Sequence, residues 1–167
     1  MEIEVIAGDI TRFSADAIVN SANPSLLAGS GVCGAIHRVA GFQLEAACLS
    51  LGPIKPGAAV ITQAFNLPAK WVIHAVGPRW LGGQHNEEDV LAMCYQNIIQ
   101  RGEQVHAVHL SVPSISTGIY RFPLALASKI AISTLKSCTS STIQRISFVC
   151  VDQDTEQAYR NAVASII

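Results

Sequence analysis

Apolar residues recur along this chain in two rhythms, and the rhythms alternate. Short runs rich in Val, Ile and aromatic residues cover Glu2–Ala7, Asp16–Asn20, Ala58–Ala64, Trp71–Val76, His106–Val112 and Arg145–Val151. Their length and residue types predict strands. Between them, apolar residues fall three and four apart. One such stretch is 35–51, with Ile36, Val39, Ala40, Leu44 and Ala47 on one face; others run from Glu87 to about Arg101, over 123–137 and over 155–167. Acids at 87–89 suit the first turn of a helix, and Pro123 suits a first helical position. Gly8-Asp9, Gly52-Pro53 and Asn66-Leu67-Pro68 punctuate the pattern as turns. Strands alternating with helices predict an α/β fold, a three-layer α/β/α sandwich around a central mixed sheet. With no internal repeat or linker, residues 1–167 read as a single domain.

Composition narrows the function classes. Half of the residues are apolar and 14% are charged, which excludes a disordered chain. The apolar runs are too short for a spanning helix, so no membrane association is expected. The N-terminal MEIEVIAGD lacks a basic segment ahead of an apolar core, so no secretory signal is expected there. The five cysteines form no Cys-x-x-Cys pair and suit a reducing, cytoplasmic location. His85, His106 and His109 lack the spacing of zinc ligands, and His37 and His74 fit core roles, so neither a metal nor a cofactor is expected. The formal charge is −1, without a Lys/Arg cluster, which disfavours direct nucleic-acid binding.

One stretch concentrates candidate chemistry. Asn20–His37, NSANPSLLAGSGVCGAIH, leaves a strand and enters a helix through Gly29, Gly31 and Gly34. Free N–H groups leading into a helix N-terminus suit an anion, and small residues let it approach the backbone. A second loop, Pro113–Phe122, also lies between a strand and a helix and is small and hydroxylated. In open α/β sheets ligands bind beyond the carboxyl ends of the strands, so both loops are expected at one edge, gripping a compact diphosphate. Farther along, Gly82-Gly83 suggests a mobile loop beside Trp80.

Five segments carry a family resemblance: GDIT (Gly8–Thr11), AIVNSAN (Ala17–Asn23), GSGVCGAIH (Gly29–His37), PAKWVIHAVGP (Pro68–Pro78) and SISTGIYRFP (Ser114–Pro123). In this order, over almost the whole chain, they resemble macrodomains of the MacroD type, which include bacterial O-acetyl-ADP-ribose deacetylases. The resemblance implies binding of ADP-ribose or O-acetyl-ADP-ribose, and hydrolysis of ADP-ribose esters, including those on mono-ADP-ribosylated proteins. It implies that Asp9 accepts from the adenine amino group and that Ile10 offers its N–H to the ring; read alone, Asp9 fits a turn as well. Asn23 matches the asparagine that contacts the distal ribose, while Asn20 more often supports the loop from within. Gly31, Val32, Gly34, Ser116, Thr117, Gly118 and Ile119 match the diphosphate loops, and Tyr120 matches the aromatic packed on the distal ribose.

Two positions depart from the pattern. Cys33 stands where hydrolytic relatives carry the aspartate that helps activate water, and Ser30 stands where glycine is usual. A thiol is no carboxylate base, so the expected mechanism is substrate-assisted, the ligand's phosphate activating water while Asn23 and Tyr120 orient the ribose. Val151 occupies a position that is often aromatic in relatives, implying adenine affinity weaker by about 1 kcal/mol. Two alternatives stay open: a reader that binds ADP-ribose without turnover, and a protein-protein regulator of a ribonuclease.

Overall fold

A computed structural model describes residues 1–166. Six strands form one sheet: β1 (Glu2–Ala7), β2 (Ala17–Ala22), β3 (Ala59–Gln63), β4 (Trp71–Val76), β5 (His109–Val112) and β6 (Arg145–Cys150). Their order across the sheet is β1-β6-β5-β2-β4-β3. Every pairing is parallel except that of β3 with β4, so the sheet is mixed, as expected. The central strands β2, β4 and β6 are buried almost throughout, whereas the edge strand β1 is half exposed. Burial on both faces explains why the central strands read as unbroken apolar runs rather than alternating ones.

The period of two along β2 sends its side chains to opposite layers. Val19 faces a core built with Leu91, Tyr95, Ile98, Phe148 and Tyr159. These come from β6 and from the helices α3 (Glu87–Gln104) and α5 (Gln153–Ser165), beside which lies α4 (Leu124–Ser137). Ile18 faces a second core with Ile36 and Leu44, from α1 (Gly31–Ala40) and α2 (Phe42–Leu49). Helices therefore cover both faces, giving the three-layer sandwich.

Several boundaries differ from expectation. The single helix expected over 35–51 starts earlier, at Gly31, and divides at Gly41, which stands at φ 93°. Only glycine adopts that backbone cheaply, and the break lets Ile36 and Leu44 address one core from two helix axes. Pro123 is the N-cap of α4 rather than its first residue. The strand expected from His106 starts at His109. There the carboxylate of Asp16 accepts from the N–H groups of Val108 and His109 (2.9 and 2.8 Å), tying the start of β5 to the start of β2. The closing helix ends at Ser165, and the expected end at Ile167 lies outside the described residues. Among the described residues no helix is long and apolar enough to cross a membrane.

Candidate functional site

The two glycine-containing loops leave the carboxyl ends of β2 and β5, which are adjacent and parallel. A cavity of about 420 Å³ opens between them. One wall is Asn23, Gly29, Ser30, Gly31, Val32 and Cys33; the other is Ser114, Ser116, Gly118, Ile119 and Tyr120. Among the described residues no Lys, Arg, Asp or Glu side chain lines it. Ile119, at 79% exposed, offers an apolar surface to solvent.

Helix α1 begins at this cavity. Its first intrahelical bond runs from the Gly34 N–H to the Ser30 carbonyl (3.3 Å), and the Ser30 side chain caps nothing. The N–H groups of Gly31, Val32 and Cys33 therefore lack helical acceptors, at the positive end of the helix dipole. An open cavity lined by such donors, without a cation, is built for an anion held by backbone.

The facing loop is braced from below. Tyr95 and Tyr159 are wholly buried, and burial pushes the Tyr159 hydroxyl up to about 12, so it stays a proton donor. Tyr159 Oη donates to Ser114 Oγ (3.0 Å), which shares a hydrogen bond with Thr117 Oγ1 (2.6 Å). Thr117 thus braces the loop and does not line the cavity. Ser116 is non-glycine yet stands at φ 68°, and its carbonyl accepts from the Phe122 N–H (2.9 Å) to close the loop. Gly77 makes that packing possible: a Cβ there would lie 2.1 Å from Ser116 Oγ.

Asn23 is clasped by its own loop. Its Nδ2 donates to the Leu27 carbonyl (2.9 Å), and its Oδ1 accepts from the Leu27 N–H (3.2 Å). An amide has two donor hydrogens and two acceptor lone pairs, so one of each remains for a ligand. Tyr120 is held from the segment after β4: its carbonyl accepts from the Trp80 N–H (2.8 Å), and the Arg79 guanidinium lies 5.1 Å from its ring centroid. A cation over an aromatic face contributes about 0.5–1 kcal/mol at an exposed site.

The remaining expected residues do not line the cavity. Gly34 faces away from it, packed against the Gly29 carbonyl. Asp9, Ile10 and Val151 lie beyond the ends of β1 and β6 on the same sheet edge. Ala7 pairs with Cys150, which brings Asp9 and Val151 side by side. Asp9 accepts from the Thr11 hydroxyl and N–H (2.7 and 2.9 Å), which lower its pKa. It caps the single 3-10 turn Ile10–Arg12, so the turn role read from the sequence is real and occupies only one carboxylate oxygen with Thr11. The Ile10 side chain is buried in the α1–α2 layer, and Val151 is 70% exposed. From β1 to β2 there are three strand spacings, about 14 Å in all, lined in order by Asp9, Val151, the 114–120 loop and Asn23.

The loop at Gly82-Gly83 is stapled rather than loose. The buried carboxylate of Glu87 accepts from the N–H groups of Leu81 (2.9 Å), Gly83 (2.8 Å) and His85. Burial alone would raise its pKa, but these N–H groups outweigh it and hold Glu87 down at about 2. A lowered carboxyl pKa stabilises the fold above the ordinary value of 4.5 and is lost as pH falls from there towards about 2. Glu87→Gln is expected to lower Tm at pH 7 and to flatten the fall of Tm through this acid range. A thermal melt series in which the variant matches wild type at every pH contradicts the staple.

The local pattern does not single out Arg79, Glu87 or the Leu27 backbone. Each acts through a turn that brings non-neighbouring residues together, and no periodicity marks it. Among the described residues no group of three His, Cys, Asp or Glu side chains is placed to hold a metal ion.

A family model described as Macro domain matches residues 19–131. The chain belongs to the macro domain family. Over 169 residues it is 49% identical to a macro domain-containing protein of Lactiplantibacillus plantarum, covering 99% of this chain and 98% of the relative. A Citrobacter rodentium protein named O-acetyl-ADP-ribose deacetylase is 46% identical over 164 residues, covering 95% and 93%. Among solved structures, a mutant of the Oceanobacillus iheyensis macrodomain with ADPR matches at a TM-score of 0.92 and 34% identity, covering 98% of this chain and 92% of that one. A Trypanosoma brucei macrodomain in complex with ADP-ribose matches at 0.87 and 33%, covering 96% and 68%.

Proposed function

We propose that this macro domain binds ADP-ribose along the edge from Asp9 to Asn23 and hydrolyses esters on its distal ribose. The observation that carries the proposal is the uncapped start of α1, whose first three residues line a cavity that no cationic side chain among the described residues enters. A diphosphate fits these donors. Adenine then falls towards Asp9 and Val151, and the distal ribose between Asn23 and Tyr120. The names and ligands of the relatives support this assignment.

In the proposed reaction, water adds to the acyl carbon of the ester, and the bond from that carbon to the ribose oxygen breaks. A phosphate oxygen of the ligand takes one proton of the attacking water and passes it to the leaving ribose oxygen, so the phosphate ends unchanged. The products are a carboxylic acid and ADP-ribose. The chain contributes orientation: the free donor and acceptor of Asn23 hold the ribose, and Tyr120 closes over it. Well-oriented reactants recover a large part of a barrier without a protein base.

Cys33 favours a second reading, a reader of ADP-ribosylated proteins without turnover, because the cavity offers no carboxylate. Calorimetric titration with ADP-ribose, paired with turnover of O-acetyl-ADP-ribose, separates the two. Wild type is expected to bind and turn over. Asn23→Ala is expected to lose about 100-fold in kcat, the scale of removing one preorganised polar contact, with a smaller change in Kd. Binding without turnover makes the protein a reader, and no binding overturns the assignment.

A further inference from the structure

Below the cavity floor lies a row of polar side chains that the proposed reaction leaves unused. Asn20 of β2 pairs in register with His74 of β4, and Thr62 of β3 lies on the far side of His74. All three are buried on the face covered by α1 and α2. Asn20 Oδ1 has no partner there, and the hydrogen bonds that the row does make constrain where the protons sit.

The assignment starts from Thr62. Its Oγ1 lies 2.9 Å from the Gln63 carbonyl, an acceptor for its single hydroxyl proton. When the hydroxyl donates there, the contact between Thr62 Oγ1 and His74 Nε2 (2.9 Å) takes its proton from the imidazole, and Cys48 Sγ, 3.7 Å from the same nitrogen, is a second acceptor. Burial, with a smaller contribution from His37, holds the His74 pKa down at about 3, so the ring is neutral and carries one proton. With that proton on Nε2, Nδ1 is an acceptor facing Asn20 Nδ2 at 3.1 Å. Asn20 Nδ2 also reaches Cys33 Sγ at 3.8 Å. The thiol, its own proton free, donates to the Leu27 carbonyl at 3.5 Å. The same carbonyl accepts from Asn23.

We infer that Cys33 is a positioning residue, a hydrogen-bond junction that passes the fixed orientation of the Asn20 amide to Leu27 and so aims Asn23 into the cavity. The chain of contacts runs Thr62, His74, Asn20, Cys33, Leu27, Asn23, from the far edge of the sheet to the ribose end of the cavity. A thiol fills this place because it accepts from Asn20 and donates to Leu27 at once. An ionised carboxylate accepts only. Gly29 borders the junction: a Cβ on it would lie in ordinary van der Waals contact, 3.4 Å from Asn23 Nδ2 and 3.7 Å from Cys33 Sγ.

The functional consequence rests on the ADP-ribose reading above, but the junction itself is testable without ligand. Nitrogen-15 NMR of the His74 ring in the wild-type protein is expected to show the neutral Nε2–H tautomer. An Nδ1–H tautomer would turn the Asn20 amide around, direct its oxygen to His74 and overturn the inference. Cys33→Ser keeps one acceptor and one donor, whereas Cys33→Ala keeps neither. The serine variant is expected to retain the distinct side-chain amide signals of Asn23 and an ADP-ribose Kd within about threefold of wild type. The alanine variant is expected to lose the Asn23 signature and to weaken Kd about tenfold, near the net worth of one hydrogen bond. Alanine and serine variants with the same Asn23 spectrum would reduce Cys33 to a filler of space. Should wild type bind no ADP-ribose, the ligand assignment fails alone, and the tautomer and the Asn23 signals still decide the junction.

Discussion

Cys33→Asp is expected to raise kcat for O-acetyl-ADP-ribose by about 10- to 100-fold while weakening ADP-ribose binding about tenfold. A positioned general base contributes roughly 10²–10⁴-fold, and the cavity has no carboxylate of its own. The gain falls short of that range because the new carboxylate has no proton for the Leu27 carbonyl, which Cys33 now supplies at 3.5 Å. Loss of that donor loosens the clasp on Asn23, and the added charge opposes the ligand's diphosphate. The fold tolerates the change, since an acid in the first turn of α1 suits the helix dipole by about 0.3–1 kcal/mol. Single-turnover kinetics with parallel calorimetry measure both effects. A variant with unchanged kcat contradicts the proposal that turnover here is limited by the missing base.

The second large effect is expected from Gly34→Ala. A Cβ at this position would lie 2.3 Å from the Gly29 carbonyl oxygen, which is backbone and cannot rotate away. Alanine gains about 1 kcal/mol of helix propensity, yet overpacking against a fixed atom costs about 1–3 kcal/mol or more. A net loss of about 2 kcal/mol corresponds to a Tm lower by about 4–8 °C for a domain of this size. Pushing Gly29 outward also shifts the wall that touches Asn23 and Cys33, so the ADP-ribose Kd is expected to weaken more than tenfold. Gly118→Ala is the control for stability, because nothing lies within 4 Å of its added Cβ and its φ is not positive. A Gly34→Ala protein with wild-type Tm and Kd would show that the loop yields freely.

These two glycines show where local pattern stops. Gly34 lies in the first turn of α1 and Gly118 in the facing loop, and both resemble the family's diphosphate segments equally well. The structure puts Gly118 on the cavity wall and packs Gly34 behind it, against a carbonyl five residues back in the chain. Thr117 and Ser116 divide in the same way, Thr117 bracing the loop through Ser114 while Ser116 lines the cavity. In each pair the residue types agree and the backbone direction decides, and that direction follows from one left-handed residue or one close contact.

The sequence by itself determined the order and type of the main elements, to the residue for Trp71–Val76, and placed both loops at one sheet edge. It could do so because burial imposes a period of two or of 3.6 on neighbouring residues, and a parallel sheet puts every strand-to-helix loop on the same side. Tertiary structure alone decided the division of the helix at Gly41, the stapling of residues 81–85 by Glu87, and the hydrogen-bond partners of His74, Asn20 and Cys33. Those partners lie 13 and 54 residues apart in the chain. Strand register and helix seating bring them together, and hydrogen bonds, being directional and short, depend on that placement to a few tenths of an ångström.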